Sequence, residues 1–218
     1  MNKQIAKIDE LIGWFDANEA PENISVVFLA MVDANVDDTE AKDNDTRQVT
    51  IKSMMEGFDD EICGLLVNKM IDLPVLRQVF DEALKTLDST PNYVDFVKWR
   101  EKKKYDNPYE PMTLPTVDEL KPIEGEPVEH IKKLQEFCEW ISAKQSRNMT
   151  MLLLAKDELN SSKTTMAMGY APEIVTMLAK EMQENYNFLQ VVIASMFALD
   201  QNASFEEYSE WKEYSKKK

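Results

Sequence analysis

The chain of 218 residues contains little glycine, histidine or cysteine: five, one and two residues. Phosphate-binding loops need glycines where the backbone approaches the ligand, and neither the P-loop nor the dinucleotide-binding glycine pattern occurs. The two cysteines, Cys63 and Cys138, cannot form a disulfide framework and are predicted to be buried free thiols in a reducing interior. No Cys or His cluster has the spacing of a zinc site. We therefore expect no cofactor and no catalytic motif.

Positive charge is also scarce, with 25 Lys and Arg against 40 Asp and Glu and a net charge of −15. This balance argues against direct nucleic-acid binding through a basic face, and it fits solubility and a partner with a basic surface equally well. The longest apolar runs, 26–32 and 149–155, are much shorter than the roughly 18 residues of a membrane span. Residues 1–15 alternate charged and apolar positions, unlike a signal peptide. We expect a soluble cytoplasmic protein without membrane association.

What the sequence does contain is an internal repeat. At an offset of 112, residues 55–104 align without a gap on 167–216, and the alignment pairs Gly57 with Gly169. Further upstream the offset is 125 for the segment that starts at residue 24 and 126 for the first amphipathic segment, with both gaps in predicted loops. We interpret this as a tandem duplication, with a first module over 1–104, a Pro-rich acidic linker over 105–126 and a second module over 127–218.

Each module is predicted to have the order α-β-β-α-α-α, so that the fold class is α+β and rich in helix. The runs 24–32 and 149–155 favour strands, although short buried helices can show the same pattern. An isolated hairpin is marginally stable in water. The two hairpins could therefore pair into one four-stranded antiparallel sheet across a pseudo-twofold axis. The alternative is two modules side by side. The modules differ in charge, with 13 basic and 21 acidic residues in the first and 11 and 13 in the second.

One acidic loop has a weak metal-binding pattern. Asp33, Asn35 and Asp37 reproduce the first three ligand positions of a calcium-binding EF loop. However, Asp38 replaces the turn glycine and Asn44 replaces the bidentate glutamate. We interpret the segment as a solvated hairpin loop, with these three residues as weak cation candidates and no metal site.

His130 and Cys138 are eight residues apart on one predicted helix, about 12 Å by rise alone. This separation is too long for a Cys-His catalytic pair, because the two groups must lie within hydrogen-bonding reach. We expect a surface histidine and a core cysteine, and no enzymatic activity.

Two aromatic stripes, each with spacing of three along the last helix of a module, are the best-kept feature between the repeats. They dock this helix on its own module or, since Tyr and Trp anchors dominate interfaces, they bind a partner. The candidate partner-binding residues are Tyr93, Phe96, Trp99, Phe205, Tyr208 and Trp211.

The leading functional hypothesis is a non-catalytic protein-interaction or regulatory accessory protein built from two divergent repeats. The alternative is an acidic inhibitor that imitates nucleic acid and blocks a DNA- or RNA-binding protein. In composition and layout the chain resembles small accessory proteins of bacteriophages and mobile elements. That resemblance implies a binding or regulatory part, or a virion component, in which case the protein would be virion-associated.

Overall fold

A computed structural model describes residues 2–33, 49–106, 128–144, 149–157 and 162–217. Within these ranges the fold is mixed α+β, with eight helices and one four-stranded antiparallel sheet. The elements are α1 (Lys3–Ala17), β1 (Ile24–Asp33), β2 (Val49–Glu56), α2 (Asp59–Asp72), α3 (Pro74–Thr86), α4 (Tyr93–Asp106), α5 (Glu129–Lys144), β3 (Met149–Asp157), β4 (Ser162–Met168), α6 (Ala171–Glu184), α7 (Tyr186–Gln201) and α8 (Phe205–Ser215).

The sheet has the order β2-β1-β3-β4, so the two hairpins are joined through their first strands. The apolar runs are therefore strands, and the prediction of one sheet rather than two separate hairpins is confirmed. β1 and β3 lie in the centre of the sheet. Nearly all of their side chains are buried, whichever face of the sheet they point to. This double burial explains why they are almost continuously apolar instead of alternating. β2 and β4 form the edges and carry more polar residues.

The strand register is symmetric with respect to the predicted repeat. Phe28 of β1 lies opposite Leu153 of β3, and the offset of 125 equates these two positions. Likewise, the β1–β2 pair Val26 and Glu56 corresponds to the β3–β4 pair Met151 and Met168, at offsets of 125 and 112. A pseudo-twofold axis therefore passes through the sheet close to Phe28 and Leu153.

Helices cover both faces of the sheet, and each face has its own apolar core. On one face, α1 and α5 cover Phe28, Leu153 and their neighbours. On the other face, α2 and α6 lie on Val27, Leu29 and the corresponding β3 residues, and α3 and α7 pack beside them. α4 and α8 form an outer layer against this second group. Because α2 packs on α7 and α3 packs on α6, the larger core is shared between the two halves of the chain.

Two glycines, which the internal repeat aligns with each other, make the turns from strand to helix. Gly57 and Gly169 both have φ of +108°, a conformation that residues with a side chain rarely adopt. After each turn, a glutamate at the third helical position accepts a hydrogen bond from the backbone before the helix. Glu61 accepts from the N–H of Phe58 at 3.4 Å, and Glu173 from that of Tyr170 at 3.2 Å.

An arginine clamps the two outer helices together across the pseudo-twofold axis. Arg100 of α4 donates from Nε and Nη2 to the Glu207 carboxylate of α8, at 2.6 and 2.8 Å. Nη1 also donates to the carbonyl oxygen of Gln201 at 2.8 Å, and Nη2 donates to that of Asn202 at 3.1 Å. One guanidinium thus pairs bidentately with a carboxylate and satisfies carbonyl groups at the end of α7.

We expect Arg100→Lys to lower the free energy of unfolding by about 2 kcal/mol, because an ammonium group cannot reproduce this planar fork of hydrogen bonds. Urea denaturation measures the change. Arg77→Lys is the control, because Arg77 is more exposed and, among the described residues, bonds only to Asp200. The expected loss for this variant is below about 0.5 kcal/mol. Equal losses for the two variants would contradict a special role of the Arg100 clamp.

Candidate functional site

The structure brings the two predicted aromatic stripes together in one cluster. Phe96 is fully buried and Tyr208 is 3% exposed, whereas the other four side chains are partly buried at the edge of the same core. Both stripes meet around Phe197 of α7, a residue that the sequence did not single out. Its ring centroid lies between 4.8 and 5.3 Å from the rings of Phe96, Tyr93, Trp211 and Tyr208.

Each stripe therefore does more than dock its helix on its own module, because the two stripes together join α4 of the first module to α7 and α8 of the second. Phe96 and Tyr208 are covered by the fold itself. Tyr93 donates a hydrogen bond to Asp200 at 2.7 Å, which fixes its hydroxyl group. Partner binding by the partly buried members of the stripes stays a prediction.

A larger exposed feature is a groove of about 830 Å³ between the start of α2 and the start of α8, which we call the acidic groove. Its apolar surface comes from Phe58, Val67, Ala198 and Phe205 together with Cys63. Phe58 is 58% exposed although it is a large aromatic side chain. The acidic residues of the groove are Asp59, Asp60 and Glu206, all exposed.

Local sequence explains the shape of this groove. Gly57 turns the chain sharply out of β2, so that Phe58 and the first turn of α2 project at the edge of the sheet. The N-cap Ser204, whose Oγ accepts a hydrogen bond from the N–H of Glu207 at 3.0 Å, starts α8 on the opposite side. Acidic residues are favourable in the first turn of a helix, which accounts for both acidic clusters. The groove thus combines two aromatic side chains with three carboxylates.

Sequence reasoning did not predict this site. A signal was nevertheless present, because Phe58 is an aromatic residue at an N-cap position, where Ser, Thr, Asp and Asn are preferred.

Cys63 lies at the base of the groove and is buried, and Cys138 is only partly buried. Burial raises the pKa of the Cys63 thiol, and it raises the pKa of Cys138 to about 11. The thiolate is the nucleophile, so both groups are held in the less reactive form at neutral pH.

We expect both thiols of the folded protein to react slowly with iodoacetamide at about pH 8, and to react at the rate of an ordinary thiol after unfolding in urea. Raising the pH toward 11 should accelerate the reaction of Cys138 as its thiolate forms. Alkylation followed by intact-mass measurement checks this. Rapid labelling of Cys63 at neutral pH would instead indicate an activated thiol in the groove.

The prediction of a surface histidine is wrong: His130 is only 7% exposed. Its Nε2 lies 2.9 Å from the carbonyl oxygen of Asn18, and its ring packs edge-on against Trp14 and Phe15. The side chain therefore fills the junction between α1 and α5. The sheet separates it from Cys63, so the fold does not bring these two groups together.

Of the weak cation candidates, Asp33 ends β1, while Asn35 and Asp37 lie outside the described residues. The described ranges contain no group of three or more His, Cys, Asp or Glu that could hold a metal ion. Within those same ranges, no helix is both long and apolar enough to cross a membrane.

Comparison with known proteins gives no relative: no family model, curated protein or solved structure matches this chain.

Proposed function

We propose that this protein is a non-catalytic interaction protein whose acidic groove binds a basic segment of another protein through an apolar anchor. The observation that carries the proposal is the combination of exposed Phe58 with Asp59, Asp60 and Glu206 around one groove. An exposed aromatic side chain provides binding energy, and the surrounding carboxylates select a positively charged partner. The net charge of −15 favours encounter with such a partner.

We further propose that the chain arose by tandem duplication and that the acidic groove belongs to one half only. The symmetric strand register and the identical φ of Gly57 and Gly169 support a common origin. At the positions 112 residues away, Tyr170 and Tyr93 keep the aromatic character of Phe58 and Phe205. The acidic residues do not persist, since the corresponding positions are Ala171, Pro172 and Val94. The charged groove is thus a divergent surface on a shared framework.

This comparison supplies a matched control for a binding experiment. A photo-crosslinking amino acid, p-benzoyl-phenylalanine, can replace Phe58 in one variant and Tyr170 in another, because both side chains are exposed at equivalent turns. In lysate of the source cell we expect the first variant to capture one protein through a basic, apolar segment. The second variant should not capture that protein.

Neutralising the groove provides the second arm of this experiment. Asp59→Asn combined with Asp60→Asn and Glu206→Gln should reduce capture at position 58. These exposed carboxylates stabilise the first turns of α2 and α8, so we expect a small loss of melting temperature, and a melting curve verifies that the variant is folded. Equal capture at positions 58 and 170, or capture unaffected by these substitutions, would overturn the proposal.

A further inference from the structure

A second, smaller cavity of about 210 Å³ lies between β1, β2 and the junction of α6 with α7. It lies over the sheet face that carries Leu29 and Met55, and Phe188 closes another side. The polar groups at this cavity are Glu181, Asn185, Asn187 and Ser53. The volume suits a side chain or a small molecule rather than a drug-sized ligand.

Glu181 is the unusual member of this cavity, because it is a carboxylate that is only 6% exposed. Its Oε1 accepts one hydrogen bond, from Nδ2 of Asn185 at 3.2 Å. Within the described part of the chain no Lys, Arg or His forms an ion pair with it, and Oε2 accepts no hydrogen bond. A carboxylate with so little exposed surface is poorly hydrated, so a cation in the adjoining cavity would interact with it more strongly than with a fully exposed carboxylate.

The local backbone adds to this attraction. Glu181 lies in the last turn of α6, where the carbonyl groups of the helix carry partial negative charge. An acidic side chain is unfavourable at that end. Both the side chain and the helix terminus therefore favour a positive charge in the adjoining cavity.

The geometry selects among possible cations. A divalent metal ion needs several oxygen ligands, and Glu181 is the one carboxylate among the residues that line the cavity. A guanidinium group pairs best with both oxygens of a carboxylate, and because Nδ2 of Asn185 already donates to Oε1, only one acceptor site of that oxygen remains for it. A primary ammonium group is a compact charge with three donors. It can donate one hydrogen bond to Oε2, while the Ser53 hydroxyl and the side-chain carbonyl of Asn187, which also line the cavity, can accept hydrogen bonds from its other two N–H groups. Its alkyl stem would contact Leu29, Met55 and Phe188.

The pseudo-equivalent position in the first half carries the opposite charge. Lys69, 112 residues before Glu181, is 7% exposed, and desolvation together with the charge of Lys163 lowers its pKa. The neighbouring positions are apolar there, because Leu73 and Val75 replace Asn185 and Asn187. The polar, acidic cavity is therefore specific to the second half.

We propose that this cavity is a binding site for a primary alkylammonium group, whose positive charge pairs with the carboxylate of Glu181. The ammonium belongs either to a lysine side chain of a protein or to a free amine. This site is separate from the acidic groove, so the failure of one proposal leaves the other intact.

The test is a titration of the full-length, ¹⁵N-labelled protein with n-butylammonium chloride at constant ionic strength, followed by NMR. We expect saturable shifts of the backbone amides of residues 53–55 and 185–188, with a dissociation constant in the millimolar range or below, as expected for so small a ligand. Neutral n-butanol should bind at least about tenfold more weakly, because it leaves the carboxylate without a counter-charge.

Glu181→Gln preserves the size of the side chain and should weaken butylammonium binding by about tenfold or more. Glu184→Gln is the matched control on the same helix, because Glu184 is exposed, and it should bind as the wild type does. A melting curve of each variant verifies that it is folded. Absence of saturable shifts, or equal binding by the Glu181→Gln variant, would overturn the proposal.

The titration is repeated with Nα-acetyl-lysine methylamide to identify the source of the ammonium. Tighter binding than n-butylammonium supports a lysine side chain as the ligand, and equal or weaker binding supports a free amine. Failure of both amines to bind would contradict the site.

Discussion

Phe197→Ala is expected to lower the free energy of unfolding by about 4 kcal/mol, the range found for deleting a buried aromatic ring. Phe197 is fully buried and its ring contacts aromatic side chains of α4 and α8. Removing it leaves a cavity between helices from both halves of the chain. The neighbouring rings also lose their edge-on and tilted contacts, which add to the effect of burial.

Urea denaturation followed by tryptophan fluorescence measures this change, since Trp99 and Trp211 belong to the same core. The control is Val94→Ala on α4, because Val94 is 64% exposed. We expect a loss of less than about 0.5 kcal/mol for this variant. A loss below about 1 kcal/mol for Phe197→Ala would show that the aromatic stripes do not depend on a common core, and would favour partner binding by these residues.

Gly57→Ala is expected to destabilise the protein by about 3 kcal/mol, from backbone strain and steric overlap together. The φ of +108° at this position is unfavourable for alanine. An added Cβ would also lie 2.9 Å from the carbonyl oxygen of Ile24, a backbone atom of β1 that cannot move without disturbing the sheet. The turn that presents Phe58 would therefore shift.

Gly13→Ala is the matched control for this substitution. Gly13 lies within α1, and a Cβ there would have no neighbour within 4 Å. Alanine is the better helix former, so we expect this variant to be more stable than the wild type by up to about 1 kcal/mol. Thermal and urea denaturation of both variants check the opposite signs. If Gly57→Ala were neutral, the turn could not have the conformation described.

The order of helices and strands in each half of the chain was predictable, because the local sequence patterns agree with the final fold. Pro74 in the first turn of α3 and Gly57 in the turn before α2 each follow from backbone chemistry, since proline fits the first helical turn and glycine tolerates a positive φ. Pairing of the two hairpins was also predictable in outline, since each central strand needs two buried faces. β2 extends to Glu56 because its later residues pair with β1, as far as the pair of Val26 with Glu56.

The functional surfaces were harder to predict, since they depend on contacts between distant segments. Nothing near Phe197 in the sequence distinguishes it from other core residues, yet both aromatic stripes pack against its ring. His130 is buried because Trp14 and Phe15 from α1 meet it, 115 or more residues away along the chain. The burial of Glu181 follows from the position of α6 on the sheet, which the pattern of a single helix does not determine.

The most direct test of the central claim, that the acidic groove binds through an apolar anchor, is the affinity for the protein captured at position 58. It should be measured at roughly 0.05 and 0.5 M salt for the wild type and for Phe58→Ala. We predict that Phe58→Ala weakens binding by about tenfold or more at both salt concentrations. The wild type should lose less than about tenfold in affinity at high salt, since salt screens its exposed carboxylates but not the apolar anchor. A steep loss of wild-type affinity with salt, together with unchanged binding by Phe58→Ala, would contradict the claim and identify the protein as a charge mimic of nucleic acid.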